Sequence, residues 1–246
     1  ETATFRRLPD LPERVDHPVF VTHERQLFVA GGWRDIQPTD AVWKYTPESG
    51  SWTELPSLEV ARGGAAGAVL DGRLYVVGGS SGPHTGHVAP TGVVEIFDFA
   101  TERWSRGPDL PTPRHHHGVA ELDGKLWAVG GRGDTDVSLA SVEVFDPSSA
   151  RWTKGPRLTF GSGGLSLDEV SGKLVATGGG DDDEGWVTPA TWALGSSDAG
   201  WTRLADLGVA RHGHGSAAVG DRLYVFGGAP CPGYGRTASV EALQVP

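Results

Sequence analysis

Methionine is absent from this 246-residue sequence, cysteine occurs once, and tyrosine only four times. With Cys231 alone, the chain can form no internal disulfide and no cysteine-rich zinc site, which suits a reducing compartment. No stretch approaches the ~18–20 consecutive apolar residues that a membrane-spanning helix needs. The start, ETATFRRLPD, has no signal-peptide core. A cytoplasmic location, a monomeric chain and no membrane partner are therefore expected. Basic residues are in short supply too: 21 Lys and Arg against 31 Asp and Glu leave a net charge of −10. Nucleic-acid binders normally carry a basic face, so that class is set aside. What the chain has in quantity is glycine (37) and proline (17), a composition of many turns rather than long helices.

The glycines recur with a period. Five times a short apolar run ends in a glycine pair: LFVAGG (27–32), LYVVGG (74–79), LWAVGG (126–131), LVATGG (174–179) and LYVFGG (223–228). Between them, an aromatic residue is followed six positions later by leucine, at Trp52/Leu58, Trp104/Leu110, Trp152/Leu158 and Trp201/Leu207. The fifth such pair, Phe5/Leu11, stands at the beginning of the chain. A fixed period of this length marks stacked repeats, none of which can bury its apolar face alone. Each unit reads as four short strands. A Gly/Ala-rich strand leads through a turn such as Asp71-Gly72 or Asp123-Gly124, suited to a tight hairpin, into the strand that ends in the glycine pair. After a variable loop comes an alternating strand such as SVEVFD (141–146), and then the tryptophan strand.

The double glycine, the later tryptophan and the period of about fifty residues resemble kelch repeats and cover essentially the whole chain. The resemblance implies an all-β fold, a β-propeller with four antiparallel strands per blade. Kelch propellers usually have six or seven blades; here five are counted in a single domain, at approximately 12–55, 56–107, 108–155, 156–204 and 205–246 together with 1–11. The last block lacks an aromatic strand and the first begins with a spare one. The N-terminal strand, with Phe5 at the tryptophan position, is expected to complete the last blade and close the ring, leaving no open edge.

Histidines cluster at equivalent places in two repeats, RHHHG (114–118) and RHGHG (211–215). Strand alternation places residues two apart on one face. One phase holds Asp16, Gly63, His115, Gly163 and His212, followed two residues later by Pro18, Ala65, His117, Leu165 and His214. His116 and His17 fall in the other phase. In kelch propellers similar to this one, the inner strand starts on the ligand face, and the residue after the Arg62/Arg114/Arg211 position points into the central cavity. Carried over, His115, His117, His212 and His214 would face the pore mouth with Asp16. Paired His-x-His nitrogens suit a divalent transition metal, Cu, Zn or Fe, and three or four of them with an open position would make a catalytic site. Asp16, His115 and His212 are the expected catalytic groups, with Asp16 as ligand, orienting partner or general base. The bland alternative is that these histidines bond neighbouring loops.

The loops after the glycine pairs open on the same face. They offer Trp33, His84, His87, Trp186 and Tyr234 as substrate-contacting residues. The arginines are expected to be struts bonding loop carbonyls, and the repeated tryptophans to pack between blades. Two kelch activities fit poorly: Cys231 and Tyr234 share one loop, unlike the cross-linked pair of the copper oxidases, and no histidine has the acidic spacing of the plant specifier proteins. The site suggests an enzyme acting on a small molecule, metal-dependent. The alternatives are a protein- or glycan-binding module, and a metal-free enzyme similar to the sialic-acid mutarotases with histidine as acid–base.

Overall fold

A computed structural model describes residues 7–85, 88–181, 184–233 and 235–246. Five antiparallel blade sheets follow one another along the chain, with two short two-stranded ribbons in the loops, Trp33–Arg34 with Gln37–Pro38 and Gly180–Asp181 with Trp186–Val187. Blade 1 comprises Val19–His23, Gln26–Ala30, Val42–Thr46 and Ser51–Leu55. Blade 2 comprises Ala66–Leu70, Arg73–Val77, Val94–Asp98 and Arg103–Arg106. Blade 3 comprises Gly118–Leu122, Lys125–Val129, Val142–Asp146 and Arg151–Lys154. Blade 4 comprises Ser166–Val170, Lys173–Thr177, Thr191–Gly195 and Thr202–Arg203. Blade 5 has three described strands, Gly215–Val219, Arg222–Phe226 and Val240–Gln244. Apart from one 3-10 turn at Asp134–Asp136, no helix is found among the described residues, and none is long and apolar enough to cross a membrane.

Blades are held to one another by apolar clusters and by repeated polar contacts. Four buried clusters lie between successive blades; Val19, Val42, Leu74 and Phe97, for example, join blades 1 and 2. Each outer-strand tryptophan donates its indole N–H to a proline carbonyl one repeat back: Trp104 to Pro56, Trp152 to Pro108 and Trp201 to Pro156. Trp52 does the same to Pro9, at 3.1 Å, so the start of the described chain takes the repeat position next to blade 1. Phe5 and the other residues of 1–6 in the expected closing segment lie outside the described residues, and residues 7–11 are described without a strand.

Arg62, Arg114 and Arg211 are fully buried and bond mainly within their own blade. Arg114 donates to the carbonyls of Gly130 (2.7 Å) and Ser141 (2.9 Å) and to the Glu143 carboxylate (2.9 Å). Its own carbonyl accepts from Gly79 of the preceding blade. Burial pulls the guanidinium pKa down, to about 10 for Arg62, while the paired carboxylate (Glu95 there, Glu143 at Arg114) opposes the shift.

The outward face of blade 5 differs from its counterparts. Val219 is 64% exposed and Val240 66%, whereas the equivalent Leu70, Leu122 and Val170, and Val42, Val94 and Val142, are buried. On blade 1, Phe20 is 58% exposed; the equivalent Gly67 and Val119 face the preceding blade and are covered. Among the described residues, these two faces carry no neighbouring blade.

Candidate functional site

Before each inner strand, three residues precede the regular ladder: Asp16-His17-Pro18, Gly63-Gly64-Ala65, His115-His116-His117, Gly163-Gly164-Leu165 and His212-Gly213-His214. The first of each trio makes a β-bridge to the residue after its blade's glycine pair, as Asp16 with Trp33 and His115 with Arg132. The second is left-handed in every blade, with φ of 46° at His17, 61° at Gly64, 53° at His116, 68° at Gly164 and 58° at Gly213. Its backbone forms a chain of hydrogen bonds around the pore: Gly64 N–H to His17 C=O, His116 to Gly64, Gly164 to His116 and Gly213 to Gly164.

This geometry corrects the expected phase. Two-residue alternation holds only in a continuous extended strand, and a left-handed residue in the middle of the trio turns the chain before the strand begins. His17 and His116, assigned to the outer phase from alternation, line the pore mouth. A cavity of about 470 Å³ there is bordered by His17, His84, His116, Arg132, His212 and Arg236. A second, of about 380 Å³, runs inward past Asp16, His116, His117 and His214.

His17, His84 and His116 converge. One nitrogen from each lies within 4.8 Å of one from each of the others, and no other described group of three His, Cys, Asp or Glu side chains is gathered in this way. The rings of His17 and His84 meet edge to face at 5.2 Å. Asp16 Oδ1 sits 3.3 Å from His17 Nδ1 and 3.8 Å from His84 Nδ1. On the other side, His115 Nδ1 bonds His116 Nδ1 at 2.5 Å, and His115 Nε2 lies 3.2 Å from Asp136 Oδ1. Burial lowers the pKa of His84 and brings His115 to about 4; Asp16 and Asp136 respectively oppose it. His116 is pushed well below its ordinary value, by burial and then by His17 and His115. These three rings are therefore neutral at pH 7 and keep a lone pair.

Not all the expected site residues join this group. His115 supports His116 instead of opening on the cavity. His117 is buried with neither ring nitrogen hydrogen-bonded, and His214 bonds Thr177 and Ser166 at 3.2 and 3.1 Å; both line the inner cavity. His212 borders the mouth and bonds the Cys231 carbonyl at 3.1 Å. The space left by Gly63 and Gly163 is filled by the preceding blade: Trp33 covers Gly63 and Gly64, and Arg132 covers Gly163. Trp33 is thus completely buried rather than a stacking wall for substrate. It stacks on His84 at 4.2 Å and donates its indole N–H to the Gly82 carbonyl, fixing the loop that carries His84. Trp186 packs against Phe160 and bonds Glu184, bordering neither cavity. His87 and Tyr234 lie outside the described residues.

Comparison with known proteins adds three observations. Residues 8–164 match the model of the KLHDC2/KLHL20/DRC7 Kelch-repeats domain. The chain is similar to Kelch-like protein terF of Aspergillus terreus, at 30% identity over 53% of this chain and 30% of that protein. It is similar also to human Kelch-like protein 33, at 30% identity over 57% of this chain and 26% of that protein. The chain spans about a third or less of the curated relatives it matches. Among solved structures it resembles YjhT, with a TM-score of 0.78 and 20% identity over 90% of this chain and 75% of that one, which bears on the fold alone.

Proposed function

The chain belongs to the kelch-repeat β-propeller family, and on that premise we propose that it is a binding platform whose ligand, an acidic segment of a protein partner, seats at the pore mouth. The carrying observation is the 470 Å³ cavity, where Arg132 and exposed Arg236 border a ring of histidines in a chain whose net charge is −10. A local cationic rim selects carboxylates. The rim residues come from loops held by rigid blades, which favours recognition without a large ordering cost. Selection of acidic peptides against the purified protein tests the reading. Enriched peptides should lose about tenfold or more in affinity on Arg236→Ala, an effect of ~1.4 kcal/mol. Enriched peptides indifferent to that change, or no enrichment, would refute it.

A second reading, catalysis on a small molecule, is favoured by Asp16 beside His17. A carboxylate on Nδ1 orients an imidazole so that Nε2 can take or give a proton, the chemistry of a sugar mutarotase or epimerase. Anomer interconversion followed by NMR over a panel of reducing sugars tests it. Acceleration that disappears in His17→Gly supports it, and rates equal to buffer alone sink it.

A further inference from the structure

We propose that His17, His84 and His116 together form a site for one divalent transition-metal ion, with Asp16 and His115 as positioning residues. Imidazole nitrogen suits zinc, copper and their neighbours, and three such ligands leave a position open to water or a ligand. The ligand set differs from the one that strand alternation suggests, and the inference does not depend on the peptide reading above.

Four independent features of the structure support it. First, one nitrogen from each ring already lies within 4.8 Å of the others, with each residue supplied by a different blade or loop. A shared ion needs only side-chain closure, because the three carriers are consecutive around the ring.

Second, two of the rings are hydrogen-bonded at Nδ1, and the third has a carboxylate beside it. Asp16 Oδ1 stands between His17 Nδ1 and His84 Nδ1 at 3.3 and 3.8 Å. His115 takes His116 Nδ1 and turns its own Nε2 to Asp136. With Nδ1–H of His17 and His116 directed at these acceptors, Nε2 of each of those two rings is the nitrogen left with a lone pair. A carboxylate behind a ligating histidine is the usual means of fixing tautomer and orientation.

Third, the backbone accepts an unfavourable conformation to place two of the rings. Three of the five blades have glycine at this left-handed position, whereas blades 1 and 3 have histidine. Residues held in left-handed conformations without glycine concentrate at functional sites. Gly64, between the two, lets them meet: a Cβ there would come within 3.3 Å of the His116 ring.

Fourth, the third ligand is braced. His84 stacks on the buried Trp33, and its backbone N–H donates to the Ile36 carbonyl at 2.8 Å. The ring cannot swing away freely.

The test uses chelator-stripped, tag-free protein titrated with Co²⁺, read by its visible ligand-field bands, and then with Zn²⁺ to displace it. One ion per chain is expected. His17→Gly and His116→Gly install the residue that the other blades already use, so they should melt at or above the wild-type temperature while losing at least about 100-fold in affinity. Asp16→Asn should weaken binding by about 10–100-fold, as removal of an orienting partner does. His84→Ala, at an ordinary backbone position, provides a loss independent of the glycine variants. A wild-type protein without cobalt bands overturns the proposal. So does full-affinity binding by folded His84→Ala or by either glycine variant.

Discussion

The rings of His17 and His116 meet edge to face with centroids 4.8 Å apart, although the two residues belong to blades 1 and 3. Blade 2 lies between them and has Gly64 at the equivalent position, so the two side chains approach across an intervening repeat. The contact is therefore a property of three consecutive blades, and the small residue in the middle is as necessary as the two large ones.

Gly64→Ala should consequently do two kinds of damage. Its φ of 61° suits glycine, and a Cβ would lie 2.8 Å from the Trp33 ring and 3.3 Å from the His116 ring. Left-handed strain and overpacking each cost about 1–3 kcal/mol. Chemical denaturation should show a loss of ~2 kcal/mol or more. Gly124→Ala, at a turn where a Cβ meets nothing, should lose less, since only its φ of 72° opposes the change.

Most of the fold was legible because repeats report themselves. The glycine pairs, the Trp positions and the arginines each occupy one place in every copy where they occur, and the structure shows why: turns, proline carbonyls and strand-end carbonyls recur with them. The site was legible only in outline. Period-two alternation over residues 114–117 presumes an extended strand, yet the ladder begins at Gly118, and the left-handed His116 reverses the phase. The signal was present. Gly64, Gly164 and Gly213 stand at the middle of the trio, and glycine in three of five copies implies a positive φ for the histidines in the other two. His84 was legible as a rim residue of its loop, but no repeat position marked it as a partner of His17 and His116, because that loop has no counterpart of equal length.

Glu143→Ala should be among the most damaging single changes in the molecule. Its carboxylate accepts from Arg114, from the Thr112 hydroxyl and from the Thr112 N–H, all in the interior. Removing one partner of a buried pair leaves an uncompensated charge and costs about 3–5 kcal/mol. Glu241, which holds the equivalent place in blade 5, has a side chain 27% exposed, so water can replace it beside Arg211. Glu241→Ala should cost less than half as much by the same denaturation assay.

Asp168 sets a pH dependence. It is half-buried between blades 4 and 5, and loss of solvent there raises its pKa even though the Ser216 hydroxyl donates to it at 2.6 Å. In the window above the unfolded value of 3.8, the folded state holds this proton longer than the unfolded chain. Stability therefore falls as pH rises through that window and stays lower above it. Asp168→Asn keeps an acceptor for Ser216 and removes the charge. Thermal melts should show the variant gaining on wild type between pH 4 and pH 7, and equal shifts at both pH values would contradict this account.

Val219 and Leu122 hold the same place in their inner strands, and their surroundings make opposite predictions. Leu122 is sealed between blades 3 and 4 in a cluster with Leu174 and Leu194. Truncation to alanine there leaves a cavity and should cost about 2–5 kcal/mol. Val219 faces outward on blade 5, where nothing among the described residues covers it. Val219→Ser removes apolar surface that is already in water, so unfolding should change by only about 0.5 kcal/mol or less. If Val219→Ser instead destabilised the protein as strongly as Leu122→Ala, the face would have to be covered in solution. Exposure of Val240 at the other end of the same sheet and of Phe20 on blade 1 supports the first outcome, because all three would lose water together if a blade or another chain lay against them. Paired denaturation curves of the two variants decide between these cases.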